Sequence, residues 1–337
     1  MLSGILVSPG KIELRETPTP APSKGEVLVK IKSALTCGTD LKAFLRGHPV
    51  IPMPGPFGHE FSGTVAGTGK GVRNFKEGDE VMAVHSAPCM ECGFCRRKLY
   101  NLCGKIMDTK VLGAFAEYIV LPGAIVRQNL FIKPSRLGFE EAAFLEPLSC
   151  VVHGMGLLNV ARNDLILIIG AGPIGLLHLL MAKLKGARVI ITGLEQKRLA
   201  LARRLGADAA VSPSGVKEAI DELSGGLGVD SVFECTGQPD IWEASVGYAR
   251  RGGTVVLFGG CRSGATVTYD AARLHYDEIA LRGTFHFTPL DVRAAFDLLK
   301  KKLDVSPLIS GRYHLRDLKT PFERLSKGEG VKYAIIP

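Results

Sequence analysis

The stretch that most constrains this chain is residues 165–208, LILIIGAGPIGLLHLLMAKLKGARVIITGLEQKRLALARRLGAD. Its first five residues, Leu165–Ile169, are apolar without alternation, which predicts a strand buried on both faces. Gly170, Gly172 and Gly175 follow in the spacing G-x-G-x-x-G and lead into an apolar helix over about 174–185. A second apolar run, Arg188–Thr192, predicts another strand. Each glycine has a physical reason: the first permits a tight turn, the second lets backbone approach a pyrophosphate, and the third lets helix and strand pack closely. The helix start around Pro173 and Ile174 turns free N–H groups toward the phosphates. In a chain with 40 glycines the spacing alone says little. Strand before, helix after and strand again supply the context for dinucleotide binding. The competing reading is a structural turn that binds nothing.

The 337 residues are enough for two ordinary domains. With 46% hydrophobic and 22% charged residues, the composition is that of a soluble globular protein. No apolar run reaches membrane-spanning length. The first residues lack the basic segment of a signal peptide, so the expected location is the cytoplasm. The formal net charge is +9. Its cations are spread through the chain, which fits a solvated basic surface or attraction for anionic cofactors better than nucleic-acid binding. Neither a membrane nor a nucleic acid is an expected partner.

Residues 1–80 carry short β-like runs separated by Pro and Gly. The run 26–32 (EVLVKIK) alternates as a half-buried strand does, and 61–65, 80–84 and 114–121 read as further strands. This predicts a compact β-rich domain. Within it lie Cys37-Gly38-Thr39-Asp40 and Gly58-His59-Glu60. A thiol, an imidazole and a carboxylate are ligand types that zinc takes. Asp40 can accept the other ring N–H of His59. Thr39 stands two residues from the candidate thiolate, suited to passing a proton.

Cys89, Cys92, Cys95 and Cys103 fall within fifteen residues. In a presumed cytosolic chain that density points to a metal before disulfides, and four thiolates suit a closed structural zinc site. The ferredoxin pattern has a shorter last gap and a following Pro, whereas Gly104 follows here. Cys150, Cys235 and Cys261 read as small core residues, and His153 as a packed core histidine. Glu146 stands in apolar company before Pro147, with a helical run expected after the proline. A buried carboxylate is costly without a cation, which makes Glu146 a candidate metal ligand or near neighbour. A helix-terminal acid favoured by the dipole is the alternative.

Beyond residue 153, strands at Ala209–Val211, 230–235, 254–258 and 279–283 alternate with helices such as 196–205 and 241–248. That predicts a parallel, mostly six-stranded sheet. Thr236-Gly237 and Gly259-Gly260 end two of its strands, where ligands sit in such sheets. A helix over 290–301 and a strand over 332–335 close the chain.

With these residues assembled, the chain resembles the zinc-dependent medium-chain dehydrogenases over nearly its whole length. The resemblance implies an α/β protein: a GroES-like β-rich catalytic domain plus a Rossmann domain with a doubly wound parallel sheet. It places the catalytic domain at 1–152, with a structural zinc loop at about 88–104. The Rossmann domain falls at 153–287, and 288–337 return to the first domain. It implies two zinc ions per chain, one held by the four clustered cysteines. Cys37 and His59 look like catalytic zinc ligands, with Glu60 an adjacent acid that ligates in some states. Glu146, in Glu-Pro-Leu, is similar to the acid of the sorbitol, threonine and butanediol dehydrogenase branch. Thr39 matches the hydroxyl that receives the alcohol proton. Lys42 stands where some members carry a relay histidine, and His48 is an alternative exit.

The implied reaction is hydride transfer from a secondary alcohol, such as a polyol or other hydroxyl-rich small molecule, to NAD or NADP. Threonine, vicinal diols and simple secondary alcohols stay open as substrates. A non-catalytic dinucleotide-binding protein is the alternative of another class; the set of Cys37, Thr39, His59 and Glu146 argues against it. Gly193 occupies the place where NAD-preferring members carry a ribose-binding acid. Glu195 can serve the ribose, and Arg198 can stack on the adenine or face a 2′-phosphate. NAD is narrowly favoured. Phe44, Phe57, His286 and Phe287 are candidates for the pocket wall. The family further implies a homo-oligomer, a dimer or tetramer.

Overall fold

A computed structural model describes residues 1–337 apart from Val50 and Lys302. The chain divides into two compact units, one of Met1–Ser149 with Phe287–Pro337 and one of Cys150–His286.

The second unit is built on a six-stranded sheet. Its strand order is Ala209–Val211, Arg188–Thr192, Leu165–Ile169, Val229–Glu234, Ala249–Leu257, Ala280–Gly283. Every pairing is parallel. The central strand Leu165–Ile169 is buried at all five positions, as a strand covered on both faces must be. From it the chain runs outward through two strands, then crosses back to Val229–Glu234 on its other side. That reversal is the switch point where such sheets bind ligands, beyond the carboxyl ends of the strands. The glycine turn lies there. Gly170 has φ +111°, and a Cβ on Gly175 would stand 1.9 Å from the Gly170 carbonyl oxygen. The helix Pro173–Leu184 therefore packs against the turn only because residue 175 has no side chain.

The first unit carries a seven-stranded sheet in which Val27–Leu35 is central. It pairs antiparallel with Glu60–Thr68, with Leu35 opposite Glu60. The terminal strand Lys332–Ile336 pairs antiparallel with it, with Ala334 opposite Leu35. One end of a single strand thus brings residues 36–40, 59–60 and 332 together, although 272 residues separate Glu60 from Lys332. Phe44, Phe57 and Phe115 surround Phe322 at centroid distances of 5.7, 5.0 and 5.7 Å. Phe44 and Phe57 are therefore core residues here, the other of the two roles open to an aromatic at these positions: their apolar area is worth more buried against other rings.

Three further expectations change. The run 114–121 is a strand only over Tyr118–Leu121. The helix expected after Pro147 begins earlier, at Leu145, and spans Leu145–Gly156. Proline is tolerated there because a first-turn N–H has no partner within the helix. Cys150, Cys235, Cys261 and His153 are half-buried instead of fully enclosed.

Candidate active site and metal centre

Cys37 ends the loop after Val27–Leu35 and caps the helix Gly38–Arg46, with an extended backbone at φ −121° and ψ 153°. Its thiol therefore sits at a helix N-terminus, next to free N–H groups and the positive end of the dipole. Thr39 and Asp40 lie in the first turn of that helix. Asp40 is fully buried and its Oδ1 lies 3.1 Å from His59 Nδ1. This orients the imidazole and leaves Nε2 for a metal. Cys37 Sγ, a ring nitrogen of His59 and a carboxylate oxygen of Glu60 lie within 4.8 Å of one another. A thiolate, an imidazole and a carboxylate at that separation fit a zinc ion.

Electrostatics around the three are strongly coupled. Burial raises the Cys37 thiol, Glu60 adds to that, and His59 opposes it. Burial disfavours a charged His59, yet Asp40 and Cys37 outweigh it and hold the imidazole well above its ordinary value. Burial lifts the Glu60 carboxyl to about 7, with Glu146 adding to the rise and the Lys332 ammonium opposing it. Lys332 is itself 1% exposed; its Nζ donates to Glu60 Oε1 at 2.7 Å, Glu60 Oε2 at 2.5 Å and the Thr36 carbonyl at 2.8 Å. Three donors meet three acceptors, so the ammonium is satisfied inside the protein.

Glu146 lies in the first turn of its helix and is buried. Its Oε1 stands 3.2 Å from His85 Nδ1. It does not fall in the Cys37–His59–Glu60 group formed by the described residues. The His85 ring packs 5.1 Å from His59 and 5.9 Å from Phe287. Burial lowers the His85 pKa and Glu146 opposes the shift. Phe287 is buried against His85, whereas His286, in the other unit, stacks on Phe285.

The second cluster is self-contained. Cys89, Cys92, Cys95 and Cys103 bring four sulfurs together. Their Sγ–Sγ distances include 3.5, 3.9 and 3.9 Å. Disulfide sulfurs sit about 2.05 Å apart, whereas a tetrahedron with Zn–S near 2.3 Å has edges of about 3.8 Å. Backbone N–H groups of Cys89, Cys92 and Lys105 point at these sulfurs. Such bonds from backbone amides push the Cys92 thiol down to about 6, while burial pushes Cys95 up to about 12. Apart from the cysteines the lobe's core holds little more than Ile106 and Tyr100.

In the second unit Gly170, Gly172, Pro173, Ile174 and Gly175 form the turn and helix start described above. Gly193 follows the neighbouring strand, and a Cβ there would stand 2.7 Å from that of Ala171. Glu195 caps the helix Gln196–Arg204 and pairs with Arg198 at 3.6 Å. Thr236 packs on the turn: a Cβ on Gly170 would stand 3.1 Å from its Cγ2. The Thr236 hydroxyl is engaged locally, donating to Glu234 and accepting from Gln238 N.

Three residues of these sites escape a reading of the sequence: His85, Lys332 and Glu234. Lys332 left one signal, a lone cation opening the apolar run KYAII, which needs a buried partner to stand there. His85 left none.

Residues 23–129 match the alcohol dehydrogenase GroES-like domain, and residues 173–301 match the zinc-binding dehydrogenase family. A sorbitol dehydrogenase from Halalkalibacterium halodurans is 31% identical over 336 residues, covering 97% of this chain and 96% of the relative. A D-arabitol-phosphate dehydrogenase from Enterococcus avium is 33% identical, covering 94% and 91%. The crystal structure of a zinc-binding dehydrogenase from Sinorhizobium meliloti, bound to NADP, superposes with a TM-score of 0.89 at 30% identity, covering 100% of this chain and 99% of that one.

Proposed function

The chain belongs to the zinc-dependent medium-chain dehydrogenases, in the sorbitol dehydrogenase branch, and from that premise we propose that it oxidises a secondary alcohol, a polyol, to the ketone with NAD or NADP. The observation that carries this reading is the meeting of Cys37, His59 and Glu60, buttressed by Asp40 and Lys332. A protein that only bound dinucleotide would need none of these.

Cys37 and His59, with Glu60 or Glu146, are the residues that would hold the catalytic zinc. Zinc bound there supplies Lewis acidity that lowers the pKa of the substrate hydroxyl. The chain's own groups do the rest. Asp40 keeps His59 in one tautomer and one orientation. Lys332 neutralises Glu60 and so limits the negative charge of the ligand set. Thr39, half-buried in the first turn beside Cys37, would take the hydroxyl proton outward. A nicotinamide dinucleotide held at the glycine turn would supply the hydride acceptor, so that the alcohol would leave as the ketone and its proton would pass to solvent. The glycine turn at the sheet's switch point is the cofactor's seat. Cys89, Cys92, Cys95 and Cys103 would hold a structural zinc, which would tie down a lobe that has almost no apolar core.

A phosphorylated polyol is the second reading of the substrate. Burial first, then Lys110, Lys42 and Arg46, press the His48 pKa down against Asp40. The D-arabitol-phosphate dehydrogenase among the relatives makes this substrate class worth including.

The test is formation of reduced cofactor by zinc-replete protein. The panel holds polyols, their phosphates, threonine, vicinal diols and simple secondary alcohols, each with NAD and NADP. Polyol or polyol-phosphate turnover supports the reading; silence in both directions of the reaction, with zinc and cofactor bound, defeats it. A ratio of kcat/KM favouring NADP would assign Arg198 to the 2′-phosphate; one favouring NAD would assign Glu195 to the ribose. Light scattering checks the dimer or tetramer expected of this family. Five of the eight cysteines fall in the two metal-ligand groups, and thiols that serve as ligands suit a reducing cytoplasm. No described helix is long and apolar enough to cross a membrane.

A further inference from the structure

Glu234 is a buried carboxylate that the reaction does not use. It is the last residue of the strand Val229–Glu234 and is fully enclosed. Its side chain folds back on the chain that follows. Oε1 accepts from Thr236 N at 2.7 Å, from Gly237 N at 3.2 Å and from the Thr236 hydroxyl. Oε2 accepts from Gly237 N at 3.1 Å. The Glu234 carbonyl accepts from Phe258 N and Gly259 N at 2.9 and 2.8 Å, tying in the end of the next strand.

Space around this carboxylate is closed. A Cβ on Gly259 would stand 2.9 Å from Oε2 and 2.3 Å from Gly237 N. Trp242 Nε1 donates to the Gly259 carbonyl at 2.9 Å, holding that loop from the other side. Residues 234–237 and 258–259 thus form one hydrogen-bonded block at the carboxyl ends of two adjacent strands. The block abuts the glycine turn directly: Cys235 N donates to the Ile169 carbonyl at 2.9 Å, and Thr236 Cγ2 packs on Gly170.

A buried charge is costly, and it persists where several donors compensate it. Here the donors from Thr236 and Gly237 belong to the turn facing the switch point. The Thr236 hydroxyl, expected to reach the cofactor, is already held from both sides. The turn therefore meets a ligand with its backbone shape, and Glu234 sets that shape. We propose that Glu234 is a positioning residue for the dinucleotide, holding the turn at Thr236 and Gly237 against Gly170 so that the switch-point crevice is preformed. This rests on the reading of the glycine turn as the cofactor's seat.

Trp242 is the chain's one tryptophan, and energy transfer from it to a reduced nicotinamide dinucleotide reads binding. The variants are Glu234→Gln, Thr236→Val and, as conservative control, Thr236→Ser. Glu234→Gln turns an amide N–H₂ toward N–H donors, so Kd for NADH or NADPH should rise about tenfold or more. Thr236→Val should shift Kd the same way by a smaller factor, and Thr236→Ser, which keeps the hydroxyl but loses the methyl on Gly170, should fall between Thr236→Val and wild type. KM for the alcohol and the zinc content should not move, which a general loss of structure would not spare. A folded Glu234→Gln protein whose Kd stays within twofold of wild type overturns the proposal. If that variant does not fold, Thr236→Val and Gly259→Ala decide, and unchanged Kd in both overturns it. Wild-type protein that binds neither dinucleotide refutes the reading of the glycine turn itself, a different and separately visible failure.

Discussion

His178 should be replaceable by leucine with a gain in stability that grows as pH falls. The residue sits in the helix Pro173–Leu184, fully buried. Its ring stacks on Phe233 at 4.2 Å and meets Phe258 edge-on at 4.8 Å. Neither ring nitrogen has a hydrogen-bond partner among the described residues. Burial alone pushes its pKa down to about 3 from the ordinary 6.5. The folded protein therefore holds the ring neutral, while the unfolded chain takes up a proton below about pH 6.5. The sign follows: this residue's contribution is intact above pH 6.5 and is lost as pH falls toward 3. The loss is about 1.4 kcal/mol per pH unit in that window, so about 2 kcal/mol by pH 5. At pH 7.5, leucine removes two unsatisfied polar atoms, worth roughly 1–3 kcal/mol. It forfeits ring contacts worth about 0.5–1.5 kcal/mol. His178→Leu should therefore be about 1 kcal/mol more stable at pH 7.5 and about 3 kcal/mol more stable at pH 5. The added gap corresponds to about 4–8 °C in Tm. Trp242 belongs to the same unit, so its fluorescence follows unfolding of this unit. All other titrating groups are shared by the two proteins and cancel in the difference. A gap that stays constant from pH 7.5 to pH 5 would refute the reasoning, because the ring would then be titrating normally or bonded to a partner.

Cys37→Ser should abolish turnover and lower bound zinc from two to about one per chain, by the two-site reading, while energy transfer to NADH persists; metal analysis beside the activity assay checks it. Cys95→Ser should remove the other zinc and expose the 89–103 lobe to proteolysis, since little apolar core remains there; limited digestion followed by mass spectrometry reads the cut sites. Lys332→Met leaves Glu60 buried without its cation and should cost about 3–5 kcal/mol of stability, seen as a lower urea midpoint, whereas Lys332→Arg should recover much of it. A midpoint unchanged in Lys332→Met would mean that Glu60 does not carry its charge in the folded protein.

Features carried by neighbours in sequence are legible in the chain alone. The strand Leu165–Ile169, the strand Arg188–Thr192 and the edge strand Ala209–Val211 have the bounds that their apolar runs suggest, and the sheet is six-stranded and parallel as the alternation predicts. Helix edges are less legible. Pro147 looks like a barrier preceding a helix, yet the helix starts two residues before it, because a first-turn proline gives up no hydrogen bond. Phe44 and Phe57 look equally suited to a pocket or a core, and only the arrival of Phe322 from the far end of the chain decides for the core.

The sequence by itself determined the chemistry available: four thiols at short spacing, a thiol and an imidazole each beside an acid, and a glycine turn between strand and helix. These are local patterns, and local backbone geometry is enough to express them. Tertiary structure alone decided which charges face one another. Lys332 meets Glu60 because the last strand pairs with Val27–Leu35 at the end where Glu60 also pairs. His85 meets Glu146 across two elements that share no sequence pattern. Glu234 is separated from Gly259 by a helix and a strand, and it touches that loop only after parallel pairing aligns the two strand ends. A side chain's protonation, orientation and partner depend on what is buried against it, and burial is a property of the assembled fold.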